Sequence, residues 1–243
     1  SSATRPESSS RRTSPAAPPP THHTIIVDCS GSMYGEIDRI RVQLQNKLAT
    51  MVGDQDVVSL LWFSGPGQCD ALLKGERVRG LQDLSRINKA IDRLRAMGST
   101  CFVDPIHLAT KVVAEVRASN PGHVHSVLFM SDGEHNSGGS VQQVLAACDQ
   151  AAGGFAAAAT VGYGWWSGMP LLIKMAERLG IDAADCVSFG DNPNDFSMLE
   201  WCGRSFAMAD GHPEGPQHAK GIAGPCEEDG VAIVIEQLLE LPA

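Results

Sequence analysis

The chain lacks a membrane-spanning segment: no apolar run in its 243 residues approaches the ~20 needed to cross a bilayer. It also lacks the apolar core expected of a secretory leader near its first residue. There is no concentrated positive charge. The formal net charge is −9, which argues against a general nucleic-acid surface and its clustered basic face. Seven cysteines are present, Cys29, Cys69, Cys101, Cys148, Cys186, Cys202 and Cys226, but no C-x-x-C pair and no Cys/His group at zinc spacing. An odd, scattered set in mostly apolar segments reads as reduced, buried thiols, and so as a cytoplasmic protein. No internal repeat is visible.

What is present begins with Ser1 to Thr21, rich in Ser, Pro, Ala and Arg, with almost nothing to bury. We read residues 1–21 as a disordered tail. It is poor in acids and carries Arg5, Arg11 and Arg12, which leaves organelle targeting by the tail open. The whole chain is 43% hydrophobic, enough for a sizeable core. Apolar strands alternate with helical stripes. The stretch Thr24-Ile25-Ile26-Val27 is a buried strand, and Ile37, Ile40, Leu44 and Leu48 stripe the helix after it. Val57 to Phe63 is a second strand, and Cys69 to Val78 returns as an antiparallel edge. Further strands are expected at His125–Met130, Phe155–Val161, Cys186–Phe189 and Ser205–Met208, with helices between them and a last amphipathic helix from Val231. This order implies right-handed crossovers. The expected fold class is α/β: a doubly wound, mostly parallel, Rossmann-like sheet with one antiparallel edge strand and helices on both faces.

In such sheets ligands sit beyond the carboxyl ends of the strands, where the strand order reverses. Three polar loops fall there. The first strand runs into Asp28-Cys29-Ser30-Gly31-Ser32, Thr100 lies in a later loop, and Ser131-Asp132-Gly133 ends the His125 strand. Asp28 and Asp132 supply charge; Ser30, Ser32 and Thr100 supply neutral oxygens. These are hard ligands, suited to magnesium, manganese or calcium. An ion held mainly by hydroxyls stays electron-poor and accepts a carboxylate from a partner. Helix capping explains Ser30, Ser32 and Thr100 singly, but not the joint set. Cys29 and Cys101 flank the site, either as a redox pair or as two small buried side chains. Glu134 and His135 read as rim residues, and Trp165-Trp166 as an aromatic pair either facing a partner or packed on the sheet.

D-x-S-G-S after the first strand, a threonine in the second loop and S-D-G after the later strand resemble the metal-ion-dependent adhesion site of von Willebrand factor type A domains. The resemblance covers about residues 24–180, and all five ligand positions are filled, by Asp28, Ser30, Ser32, Thr100 and Asp132. It implies that the serines and the threonine contact the metal, while the aspartates bind directly or through water. It also implies a protein partner that presents an acidic residue, with no nucleic-acid or membrane ligand.

The last quarter carries another signature. Gly190-Asp191-Asn192-Pro193-Asn194-Asp195, preceded by Leu179-Gly180-Ile181 and followed by Glu228-Asp229-Gly230-Val231, resembles the final acidic motif of haloacid-dehalogenase-superfamily phosphatases. The likeness makes Asp191, Asn194 and Asp195 a second, weaker metal candidate and allows Asp28 as a nucleophile. The second Asp of a phosphatase nucleophile motif is replaced by Ser30, and the expected lysine before Gly180 is absent, with Gly168 about where it belongs. Loss of both removes most of the rate of phosphoryl transfer. The expectation is therefore a binding module at residues 22–180, extended in the same sheet by residues 181–243. A magnesium-dependent phosphatase using Asp28, Asp191 and Asp195 is the alternative. Strand order decides between them, because a Val187 strand beside the first strand would bring Asp191 to Asp28.

Overall fold

The fold is taken from a computed structural model, which describes residues 19–131, 135–162 and 169–240. The first part of the chain builds a five-stranded sheet from β1 (Thr21–Asp28), β2 (Val57–Phe63), β3 (Cys69–Arg77), β4 (Val124–Ser131) and β5 (Ala157–Gly162). Their order is β3-β2-β1-β4-β5. Three pairings are parallel and only β2–β3 is antiparallel, so the expected edge hairpin is in place. The topology reverses at β1, which is flanked by β2 and β4 and ends in Asp28.

Helices cover both faces, because alternate residues of each buried strand point to opposite sides. Ile25 and Val27 of β1 pack with Ile37, Ile40 and Leu44 of α1 (Ile37–Met51) and with Ile87 and Ile91 of α2 (Gly80–Ile91). Ile26 faces the other way. It joins Ile106, Ala109 and Val112 of α3 (Val103–Ser119), Val144 and Cys148 of α4 (Val141–Ala151), and Leu172 and Met175 of α5 (Met169–Arg178). A capping box starts α4: Gln143 N–H donates to Ser140 Oγ at 3.4 Å, and Ser140 N–H donates to Gln143 Oε1 at 2.8 Å.

The C-terminal segment departs from expectation. It does not extend the first sheet. Strands β6 (Val187–Gly190), β7 (Arg204–Met208) and β8 (Gly221–Ala223) form a separate parallel sheet in the order β6-β7-β8. This unit has its own small core, in which Met208, Ala223 and Val234 pack with Phe189, Phe206, Val231 and Leu238. Those last residues face inward from the closing helix α8 (Gly230–Glu240), whereas Ile235 points outward. Helix α5 is the seam between the two sheets. Leu172 and Met175 are buried in the larger core, while Glu177 accepts a 3.1 Å hydrogen bond from Trp201 Nε1 of α6 (Phe196–Trp201). With that helix packed against both units, β5 and β6 each remain an edge strand. No helix among the described residues is long and apolar enough to cross a membrane.

Candidate metal centre

The turn after β1 is built around one buried carboxylate. Asp28 is 0% exposed. Its Oδ1 accepts the Ser30 backbone N–H at 2.8 Å, and its Oδ2 accepts the Ser131 hydroxyl from the end of β4 at 2.6 Å. The two serine hydroxyls lie together, with Ser30 Oγ 3.1 Å from Ser32 Oγ. Ser30 is buried, and Ser32, two residues on, reaches solvent. The turn therefore runs from a buried anion to an exposed hydroxyl.

Backbone bonds hold the second loop against this turn. Gly31 N–H donates to Gly98 O at 3.0 Å, Met97 N–H to Cys29 O at 2.6 Å and Cys101 N–H to Ser64 O at 2.8 Å. Gly98 has φ of +65°, a conformation that favours glycine. Thr100 is then clamped from the loop after β4. Its N–H donates to Asn136 Oδ1 at 2.9 Å, and its carbonyl accepts the N–H groups of Asn136 and Ser137 at 3.1 and 3.0 Å. All backbone polar groups of Thr100 are thus engaged. Its side-chain hydroxyl is different: Thr100 is 1% exposed, and Oγ1 is buried with no hydrogen-bond partner among the described residues. Such an atom is expensive to bury. A hard cation drawing on Asp28, Ser30 and Ser32 is the kind of partner its lone pairs suit.

The sequence did not single out Ser131, Asn136 or Ser137 as structural partners of these ligands. Polar side chains at the ends of strands were the available signal. His135, read as a rim residue, staples the loops instead. Its Nδ1 accepts Phe102 N–H at 3.1 Å, so the proton is on Nε2, which donates to Gly139 O at 3.1 Å. Asp132, Gly133, Glu134 and Trp165-Trp166 lie outside the described residues, as do residues 1–18. Cys29 and Cys101 are free and buried. Burial pushes the Cys29 thiol up to about 12 and raises that of Cys101, so neither carries a reactive thiolate at neutral pH.

The second candidate has a different character. Asp195 is buried, and its Oδ2 accepts the N–H groups of Asp191 and Asn192 at 3.0 and 3.1 Å, while Oδ1 accepts Asn194 Nδ2 at 3.3 Å. Asp191 is exposed, with Oδ1 bonded to Asn192 Nδ2 at 2.8 Å. Asp195 thus ties its own turn together. Burial raises its carboxyl above the usual range, against the lowering effect of the two backbone donors. A β-carbon on Gly190 would lie 2.5 Å from Asp195 Cβ, which explains the glycine. Asp28 and Asp191 end strands of two different sheets. Among the described residues, no group of three or more His, Cys, Asp or Glu is placed to hold a metal; the hydroxyl-rich set around Asp28 contains only one such residue.

Residues 24–135 match the von Willebrand factor type A domain family. Over those residues the chain is similar to von Willebrand factor type A domains. Its sheet order, central acidic turn and flanking helices are those of that fold, and solved structures agree. A von Willebrand factor type A protein from Catenulispora acidiphila superposes with a TM-score of 0.52 at 22% identity, covering 66% of this chain and 37% of that one. The manganese-loaded TRAP protein of Plasmodium vivax gives 0.50 at 17% identity, covering 65% and 63%. The C-terminal segment, residues 171–235, matches haloacid dehalogenase-like hydrolases. The type A chain is 38% identical there to the 5-amino-6-(5-phospho-D-ribitylamino)uracil phosphatase YwtE of Bacillus subtilis, over 68 residues that are 28% of this chain and 24% of that protein. An uncharacterized Geobacillus stearothermophilus protein from the pdhA 5' region is also 38% identical over 68 residues, here 72% of its length. The chain spans about a quarter of the length of the curated phosphatases it matches.

Proposed function

We propose that this chain is a divalent-metal-dependent protein-binding module, with the type A unit at residues 22–180 and the hydrolase-like segment at 181–243. Asp28, Ser30, Ser32, Thr100 and Asp132 are the metal residues of this reading, with magnesium, manganese or calcium as the ion. The observation that carries it is the buried hydroxyl of Thr100, without a partner among the described residues, in the loop strapped to the Asp28 turn. Bound there, the ion supplies an electron-poor centre with an open position for an acidic side chain of a partner protein. The chain's residues do the rest. Asp28 holds negative charge out of water, Ser131 and the Ser30 N–H fix its orientation, and Ser32 opens the site to solvent. The free cysteines support a cytoplasmic setting.

Thr100→Val tests the reading through two changes of opposite sign. Without divalent ion, valine removes an unpaired buried hydroxyl, and the variant should be more stable than wild type by about 1 kcal/mol. With millimolar magnesium, wild type should gain stability as the ion binds the folded state, and the variant should gain little. Thermal denaturation with chelator and with magnesium reads both changes. A wild-type midpoint that ignores magnesium, manganese and calcium would sink the proposal.

The phosphatase likeness supports a second reading, in which Asp28, Asp191 and Asp195 hydrolyse a phosphomonoester. The separate sheets and Ser30 in place of an acid/base weigh against it. With magnesium and a generic phosphomonoester, we expect no turnover above that of Asp28→Asn. Turnover that Asp28→Asn abolishes would restore the enzyme.

A further inference from the structure

The opposite end of β1 from Asp28 holds a second buried polar group that metal binding does not use. His22 and His125 are paired across the β1–β4 ladder and are 0% and 4% exposed. Their Nδ1 atoms are 3.0 Å apart, with the rings edge to face at 89°. His22 Nε2 lies 2.8 Å from Ser59 Oγ of β2 and 3.3 Å from Thr24 Oγ1. Gly75 N–H of β3 donates to the same Ser59 Oγ at 2.9 Å.

These contacts leave one proton between the rings in either tautomer. Where the Ser59 O–H donates to His22 Nε2, His22 Nδ1–H donates to His125 Nδ1; where His22 Nε2–H donates to Ser59 Oγ, His125 Nδ1–H donates to His22 Nδ1. His125 Nε2 is buried without a partner among the described residues. A second proton between the rings would set two N–H donors head to head across 3.0 Å.

On the other face of β1, His23 is 3.1 Å from Ser126 Oγ and 3.4 Å from Asp56 Oδ2. Asp56 already accepts the N–H groups of Thr21 and Gly53. His123, in the turn before β4, is 3.0 Å from Gln55 O, and Arg117 of α3 donates to Gly154 O at 2.8 Å. The charged neighbours that bear on the two rings are bases. Burial, then His125, His23 and His123, push His22 down to about 4; burial, then Arg117 and His123, lower His125. Among the described residues, no third His, Cys, Asp or Glu joins the two rings to hold a metal.

We propose that His22 and His125 form a proton-operated latch that closes the base of the β1–β4 ladder when neutral and releases it on acidification. Released, each ring titrates in water near the ordinary imidazole value of about 6.5. Closed, the pair resists the proton. Closure is therefore unaffected by pH above about 7, and opening becomes progressively easier from about 6.5 down toward the lowered values. For each proton taken up on opening, the opening equilibrium rises up to about tenfold per pH unit. The strand released at its base is the one that carries Asp28 at its tip, although the latch does not depend on metal binding there.

Amide hydrogen exchange on the full chain without divalent ion, from pH 7.5 to 5 and corrected for intrinsic rates, tests this. Opening at the first residues of β1 and β4 should rise steeply below pH 6.5, while β7 stays flat. His125→Asn keeps a hydrogen-bonding amide where His125 stands but leaves only His22 to take up a proton, and it should lower the slope of the profile to about half. Parallel profiles in wild type and variant would overturn the latch. Ring titration of wild type by NMR supplies a check that needs no variant. The His22 signal should stay neutral to below pH 5, and that of His125 should titrate below the ordinary imidazole value, while the native fold persists. Titration near 6.5 with native signals intact would also overturn it.

Discussion

Phe102→Ala should lower stability by about 3–5 kcal/mol and the thermal midpoint by roughly 10 °C. Phe102 is fully buried two residues after Thr100, at the entrance to α3. Its ring stands edge-on to Phe63 of β2 at 5.8 Å and to Phe129 of β4 at 5.3 Å. The strands that carry those two rings flank β1, so this cluster braces the sheet beside the metal turn. Alanine would leave a cavity that rigid strands on two sides cannot close. Phe102→Leu fills most of the space and should lose less than half as much. Thermal and urea denaturation separate these values. A shift of only 1–2 °C for alanine would mean that the cluster does not brace the loop.

Asp28 is expected to give a split result. Asp28→Ala removes the acceptor of the Ser30 N–H and of the Ser131 hydroxyl, at about 1–3 kcal/mol for a buried donor left without one, partly offset because a buried carboxylate no longer has to be desolvated. The net loss should be near 2 kcal/mol in chelator. Asp28→Asn keeps the acceptor facing Ser30, and Ser131 can rotate to accept from the new amide, so its loss should be small. Both variants should lose the magnesium-dependent rise in thermal midpoint and any magnesium-dependent capture of an acidic partner. An Asp28→Asn protein that still responds fully to magnesium would remove Asp28 from the site.

Much of the type A unit could be read from the chain because its signals are local. The β1 run is short, apolar and closed by an acid. The hydroxyls of Ser30 and Ser32 follow at once, and the helix after them repeats at three and four. Thr100 was identifiable only as part of a set: alone it resembles any loop threonine. Its distinguishing property, a buried hydroxyl left over after Asn136 and Ser137 have taken its backbone, arises from residues more than thirty positions away. The histidine latch was invisible for the same reason. His22 and His23 carry no local signal of burial, whereas the β1–β4 register buries His22 against His125.

Asp195 shows the opposite failure. Its motif reads as a ligand, but its carboxylate is occupied by its own turn. The placement of the C-terminal segment was likewise beyond periodicity. A four-residue strand with a parallel pattern can pair with any free edge, and β8, only three residues long and opened by glycine, gave no strand signal.

The run from Thr24 to Ser32 therefore determined, by itself, a buried strand ending in hard oxygen donors, because strand period and ligand chemistry are properties of adjacent residues. Only the tertiary structure decided which residues close around that turn and whether Asp191 shares it. Those depend on sheet order and on the packing of α5, which bring together groups far apart in the chain and keep β6 in a sheet of its own.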